Sequence, residues 1–259
     1  MTTENLTVGY GARVVLSNLD LRLESGRVTV LIGANGSGKS TLLRTLTGHQ
    51  PALSGNVLLD GTPITSLKPA ELARRLSLVL TDRTGGGGLR VKELVAVGRH
   101  PYSGFMGRLS ETDRQAVEHA LEAVGLSHKS DDFVSSLSDG ERQKAMIARA
   151  VAQDTAVMVL DEPTSFLDVS ARFEIMELLS RIASAGKSVL LSTHDIASAL
   201  AVTDTVWAVP YKGTEVRAVK ASDPDFSSVM DSVYPSARFD IEISDYRPLK
   251  DFGFHEKNS

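Results

Sequence analysis

Eight consecutive residues, Gly33-Ala34-Asn35-Gly36-Ser37-Gly38-Lys39-Ser40, have the spacing of a phosphate-binding loop, GxxxxGK[ST]. Glycines let backbone N–H groups converge on an anion without Cβ clashes. Lys39 can reach the β- and γ-phosphates of a nucleoside triphosphate, and the Ser40 hydroxyl can ligate Mg²⁺. Thr41, next on the same turn, joins this nucleotide-binding set. A second constellation, Asp161-Glu162, closes the apolar run Val157-Met158-Val159-Leu160. A carboxylate at a strand tip can hold Mg²⁺ directly or through water, which gives Asp161 its role. Glu162 is then placed to polarise a water for in-line attack on the γ-phosphate. His194 follows another apolar run. Its position alone leaves two readings open, a structural histidine or a group that hydrogen-bonds the γ-phosphate and orients the water.

These groups need a scaffold that delivers several strand ends to one rim. The run 28–32 reads as a strand entering the Gly-rich loop, and 39–46 reads as a helix with Gly48 at its stop. Residues 57–59, before Asp60-Gly61, read as a strand entering a turn. Further strands are expected at 76–80, 157–160, 189–191 and 206–209. Runs that are apolar on both faces, such as 156–160, are typical of buried parallel strands. Strands alternating with helices imply an α/β fold with a largely parallel sheet. The C-terminal strand ends of such a sheet form the ligand rim, which would bring His194 near Asp161.

From Arg83 to Ala152 the rhythm breaks. A Thr84-Gly85-Gly86-Gly87-Gly88 hinge precedes helical patterns, with Ser110 and Asp113 as a capping box. Behind it Ala116, Val117, Ala120, Leu121 and Val124 form one apolar stripe, suited to core packing. An inserted helical subdomain is therefore expected at about 83–152, inside an ATPase domain spanning 1–210. Residues 211–259 read as a tail with short strand-like pieces and no assigned role.

Composition narrows the function classes. Apolar residues make up 42% and charged residues 23%, as in an ordinary globular chain. The net charge of −4 speaks against a nucleic-acid surface, which needs clustered Lys and Arg. The absence of cysteine excludes disulfides and Cys-ligated metals and fits a reducing compartment. The N-terminus lacks the basic and apolar segments of a signal peptide, and no run is long enough for a transmembrane helix.

Leu137-Ser138-Asp139-Gly140-Glu141-Arg142-Gln143, shortly before the acidic strand, resembles the signature motif of ATP-binding cassette (ABC) ATPases. The order fits from end to end: Tyr10, phosphate loop, hinge, signature, Asp161-Glu162, Phe166-Leu167-Asp168, His194. The resemblance covers roughly residues 4–210. It implies a P-loop NTPase core with ATP and Mg²⁺ as cofactors, Tyr10 stacking on adenine, and His194 at the γ-phosphate. It further implies that Ser138 and Gly140 act in trans, on the γ-phosphate held by a second subunit's loop, and that Asp168 links the two sites. One loop and one signature per chain make a homodimer the simplest closure.

Glu93-Leu94-Val95-Ala96-Val97-Gly98-Arg99-His100-Pro101-Tyr102, with Gly107-Arg108-Leu109-Ser110, looks like the metal-chelate importer type serving iron-siderophore, haem or cobalamin permeases. That resemblance implies an integral-membrane permease as partner, a substrate-binding protein acting through it, no nucleic acid, and a place on the cytoplasmic face of a bacterial membrane. The candidate docking region is Thr81 to Gly88; Arg83 within it and Arg90 just after it read equally as docking charges or as solvated surface charges. Two departures stand out. Thr81 falls where the family has its Q-loop glutamine, with Asp82 adjacent, and either oxygen could ligate Mg²⁺. Asp139 and Glu141 replace the usual Gly and Gln; Asp tolerates positive φ, and acids suit a helix that is expected to begin around Glu141. Their charge would also oppose a neighbouring phosphate. The alternatives are a soluble cassette acting on nucleic acid or ribosomes, and a regulatory cassette with weak hydrolysis. The first generally adds coiled coils, a second cassette or basic extensions, and the second sits poorly with Lys39, Asp161, Glu162 and His194 all in place.

Overall fold

The computed structural model describes residues 1–80, 88–103, 108–220 and 222–234. Two antiparallel strands come first, β1 (Thr2–Tyr10) and β2 (Arg13–Leu19), turning at Gly11 with φ +55°. The wholly buried β3 (Val28–Gly33) then runs into the Gly-rich loop and α1 (Lys39–Leu46). At the end of α1, Gly48 N–H bonds Thr45 O and His49 N–H bonds Arg44 O, with Gly48 at φ +75°. That is a Schellman stop, the reason for a glycine there. Next come β4 (Ser54–Leu59), β5 (Thr62–Pro63), α2 (Pro69–Ala73) and β6 (Leu76–Val79). Three helices follow, α3 (Val91–Ala96), α4 (Glu111–Ala123) and α5 (Asp139–Ala152). The chain continues through β7 (Val157–Asp161), α6 (Val169–Ser184), β8 (Ser188–Ser192) and α7 (Ile196–Leu200). The described residues end with β9 (Thr205–Val209), β10 (Arg217–Lys220) and α8 (Phe226–Val233).

The main sheet has the order β10-β9-β3-β8-β7-β6, parallel except for the β10 edge. Alternate side chains on its strands enter two different cores. Val28, Val30, Met158, Leu160, Val189, Leu191 and Val206 face the core shared with α4, α5, α6 and α8. Leu31, Val157, Val159, Leu190, Trp207 and Val209 face the core shared with α1 and the smaller sheet. Burial on both faces explains why these strands read as continuous apolar runs. The smaller sheet, β2-β1-β4-β5, is antiparallel and was not anticipated beyond β4. Its strands have polar outer faces and two β1 irregularities, so neither an apolar run nor a clean alternation marks them.

Helices α3, α4 and α5 pack on one another and lie in sequence between the neighbouring strands β6 and β7. The capping box at α4 is present: Ser110 Oγ accepts from Asp113 N at 3.1 Å, and Asp113 Oδ2 accepts from Ser110 N at 3.0 Å. Asp113 also holds Arg99 across a 2.8 Å ion pair with both side chains buried. Arg99 in turn donates to Ala152 O and stacks on Tyr102, 4.0 Å from the ring centroid. These bonds to Ser110 and Arg99 hold the Asp113 carboxyl down to about 2. Arg90, for which docking and solvated-charge readings were both open, lies over Phe133 and donates to Asp131 O. The weak pattern after Pro210 contains β10 and α8, which pack on β9.

Candidate active site

Register brings the chemistry together. In the parallel pairs, Asp161 of β7 stands opposite Ser192 of β8, and Leu31 of β3 stands opposite the same Ser192. The phosphate loop, the acidic pair and His194 therefore leave neighbouring strands at one rim. Gly33 is the last residue of β3, and a Cβ there would meet Ser37 Oγ at 2.5 Å. Gly38, with φ +107°, caps α1, and a Cβ on it would meet Val15 Cγ1 at 2.4 Å. No residue with a side chain fits either position without moving the wall behind the loop.

Lys39 is buried and donates from Nζ to Gly33 O at 2.8 Å and Ala34 O at 3.2 Å. Burial pushes its pKa down, partly offset by Glu162 and Asp161. A cavity of about 300 Å³ is lined by Tyr10, Arg13, Val15, Asn35, Gly36, Gly38, Lys39, Ser40, Thr41 and Glu162. Tyr10 is half exposed at the edge of this cavity, with its hydroxyl 3.2 Å from Thr41 Oγ1.

The acidic pair is held by a residue the sequence reading passed over. Ser192 Oγ donates to Asp161 Oδ1 at 2.5 Å and accepts from Glu162 N at 2.9 Å. Ser192 is a polar residue at the C-terminal tip of β8, just after the apolar run 189–191, the one signal that could have found it. Glu162 has φ +49°, a left-handed conformation uncommon for a side-chain residue and of order 1–3 kcal/mol in cost. Its carboxylate accepts from Ser165 Oγ at 2.8 Å and lies 2.9 Å from His194 Nδ1. Of the two readings for His194, the structure brings this side chain against Glu162 and leaves it more than half exposed.

The signature residues sit elsewhere. Ser138, Asp139, Gly140, Glu141, Phe166 and Asp168 line a separate cavity of about 500 Å³, which shares no residue with the first. α5 begins at Asp139, two residues before the expected start, so Ser138 is its N-cap and Gly140 lies in its first turn. Asp139 is helical, so its tolerance of positive φ is not called on there. Glu141 completes a capping box on Ser138 and pairs with Lys129 at 2.6 Å. Those contacts, led by Lys129, hold the Glu141 carboxyl down to about 2. A Cβ at Gly140 would meet Ala171 Cβ at 3.2 Å, so the close approach of α6 by itself favours glycine. Asp168 caps α6, accepting from Ala171 N at 2.8 Å.

Thr81 and Asp82 lie outside the described residues, as do Arg83 and the hinge up to Gly87. Among the described residues there is no cluster of three or more His, Cys, Asp or Glu that could hold a metal. Asp161 and the Ser40 hydroxyl offer a small oxygen donor set. Such a set fits Mg²⁺, which usually binds through one or two protein oxygens together with substrate phosphates and water.

A buried parallel sheet whose central strand feeds a GxxxxGKS loop and helix, next to an acidic strand tip, defines a P-loop nucleotide-binding ATPase. Residues 16–165 match the family described as ABC transporter. The chain is 43% identical over 194 residues to the ferric enterobactin transport ATP-binding protein FepC of Escherichia coli (strain K12), covering 74% of this chain and 72% of that one. It is 35% identical over 229 residues to the iron(3+)-hydroxamate import ATP-binding protein FhuC of Bacillus subtilis (strain 168), covering 87% and 85%. Its fold matches a solved transporter described as of the metal-chelate type in an inward-facing conformation, with a TM-score of 0.78, 25% identity, and 90% and 88% of the two chains covered. The chain belongs to the ABC transporter family, as an ATP-binding, ATP-hydrolysing subunit. Among the described residues no helix is long and apolar enough to cross a membrane.

Proposed function

We propose that two copies of this chain close head to tail around two ATP molecules and drive an iron-chelate import permease, with siderophore complexes as the cargo class. The observation that carries this reading is the division of the motifs between two cavities with no common residue. One cavity holds a phosphate loop and a base but no signature. The other holds the signature and Asp168 but no phosphate loop. Each lacks what the other has, so a second chain completes both. Exposed Phe166, Val169 and Phe173 beside the second cavity supply apolar surface for that contact. The cargo class rests on what the relatives transport.

In this reading the α1 N-terminus and loop amides hold the phosphates, Lys39 reaches the β- and γ-phosphates, and Tyr10 stacks on adenine. Ser40 and Asp161 hold Mg²⁺, which when bound neutralises charge on the phosphate oxygens. Glu162 takes a proton from the attacking water as its oxygen bonds to the γ-phosphorus and the bridging P–O bond to ADP breaks. Ser165 and His194 hold that carboxylate in place, and Ser192 holds the backbone N–H behind it. Ser138 and Gly140 of the second chain meet the γ-phosphate from the far side. Closure then reports the presence of ATP, since ATP shifts the dimer only by binding the closed form more tightly.

The permease would seat in a groove of about 690 Å³ lined by His49, Gln50, Pro51, Leu72, Leu78 and Gln153. Leu78 belongs to β6, the strand that leads into Thr81 and the expected docking segment. The test is a detergent-solubilised pull-down of the full chain from its native cells, with partners identified by mass spectrometry. Recovery of a polytopic permease supports the transport reading. Reproducible recovery of only ribosomal, DNA-associated or other soluble proteins would overturn it and leave the ATPase assignment standing.

A further inference from the structure

The segment after Pro210 reaches back into the nucleotide site. α8 buries Phe226, Val229, Met230 and Val233 in the core that also contains Val206, Ala208 and Val219 of β9 and β10. Tyr211 N–H donates to Ser232 O at 2.9 Å, tying the end of α8 to the chain just beyond β9. Because β9 pairs with β3 as far as Gly33, this anchoring sets the residue after α8 against the start of the phosphate loop. That residue is Tyr234, and its hydroxyl donates to Gly33 O across a long 3.4 Å bond. Gly33 is buried, and the same carbonyl accepts Lys39 Nζ at 2.8 Å. Two donors therefore share one buried oxygen, which has two lone pairs to offer.

We propose that Tyr234 is a positioning residue for nucleotide binding, keeping the Gly33 carbonyl hydrogen-bonded when Lys39 turns from it to the phosphates. This deepens the reading that the loop at 33–40 holds the nucleotide, and rests on it. Without the phenol, the lysine's transfer would leave a buried carbonyl without a donor, a loss charged against binding. With the phenol, Gly33 keeps a donor throughout and the strand-to-loop junction keeps its shape. Burial pushes the Tyr234 pKa up, so the hydroxyl stays protonated and able to donate at neutral pH. The sequence places this residue about two hundred positions from the loop, a span bridged by the β3–β9 pairing and the packing of α8.

Tyr234→Phe in the full chain removes the hydroxyl and keeps the ring. Titration calorimetry with a non-hydrolysable ATP analogue is expected to show affinity weakened about 3- to 10-fold, the range of one net hydrogen bond, with the unfolding temperature little changed. Phe226→Leu, at the other end of α8, is expected to lower the unfolding temperature with affinity within about twofold, since it loosens packing and touches no bond at the loop. Equal loss of affinity in both variants would overturn the proposal in favour of simple helix packing. Lys39→Ala separates the two levels. Tyr234→Phe binding like the parent while Lys39→Ala loses the analogue would overturn the tyrosine's role alone. Lys39→Ala binding like the parent would overturn the assignment of the loop as the nucleotide site, and the tyrosine's role with it.

Discussion

Glu162, the proposed base, is held by several neighbours. Its backbone is held in a left-handed conformation by two bonds from its N–H, to Ser192 O and Ser192 Oγ. Its carboxylate is aimed by Ser165 and His194. Glu162→Gln keeps the shape of the side chain and removes the proton acceptor. ATP turnover is expected to fall roughly 10²–10⁴-fold, with nucleotide binding retained. A phosphate-release assay beside a binding titration checks this, and unchanged turnover above background would sink the role of Glu162 as base.

At the scale of elements, two helix starts carry much of the electrostatics of the α3–α5 bundle. At α4, Asp113 is both the third residue of a capping box and the partner of buried Arg99. Asp113→Ala leaves that guanidinium buried without its counter-ion, a loss expected to cost roughly 3–5 kcal/mol. Ser110→Ala removes the cap and the hydroxyl bond to Asp113 but leaves the ion pair, and is expected to cost about 0.5–2 kcal/mol. Urea unfolding curves of the two variants would order them, and equal losses would contradict the buried-pair account. The same residues set an acid response. The carboxyls of Asp113 and Glu141 are each held down to about 2 in the folded chain, against ordinary values of 3.8 and 4.5. Between those limits the unfolded chain binds more protons than the folded one, so stability rises with pH there. The contribution is complete above the ordinary values and disappears as the pH falls toward 2. Asp113→Asn with Glu141→Gln should flatten a plot of unfolding temperature against pH across that window.

For the whole molecule, the proposed head-to-tail closure makes self-association a condition of function. Glu162→Gln, which retains ATP, is expected to run as a dimer with Mg-ATP and as a monomer without it. Replacing Gly140 by Val in that background crowds both Ala171 and the face offered to the second chain. The expected outcome in light scattering is loss of the ATP-dependent dimer, with ATP affinity of the single chain retained. A dimer that persists in the Gly140→Val chain would place the signature outside the interface.

The sequence by itself determined the parts whose geometry is settled within a few residues. The phosphate loop is legible because its glycines and lysine are contiguous, and α1 was expected at 39–46, where it lies. The Ser110–Asp113 capping box and the apolar runs of β3, β7, β8 and β9 were legible for the same reason. A helix cap, a strained turn or a doubly buried strand leaves its mark in neighbouring side chains. The family's order of motifs added the pairing of roles. What only the tertiary structure decided depends on sheet order and register. Asp161 meets Ser192 because β7 and β8 pair in that register, and Tyr234 meets Gly33 because α8 docks beyond β9. The antiparallel sheet of β1, β2, β4 and β5 was hidden because strands with one polar face and irregular pairing carry a faint periodic signal. Register is set by the burial of many strands at once, a sum over distant residues that no short stretch of sequence contains.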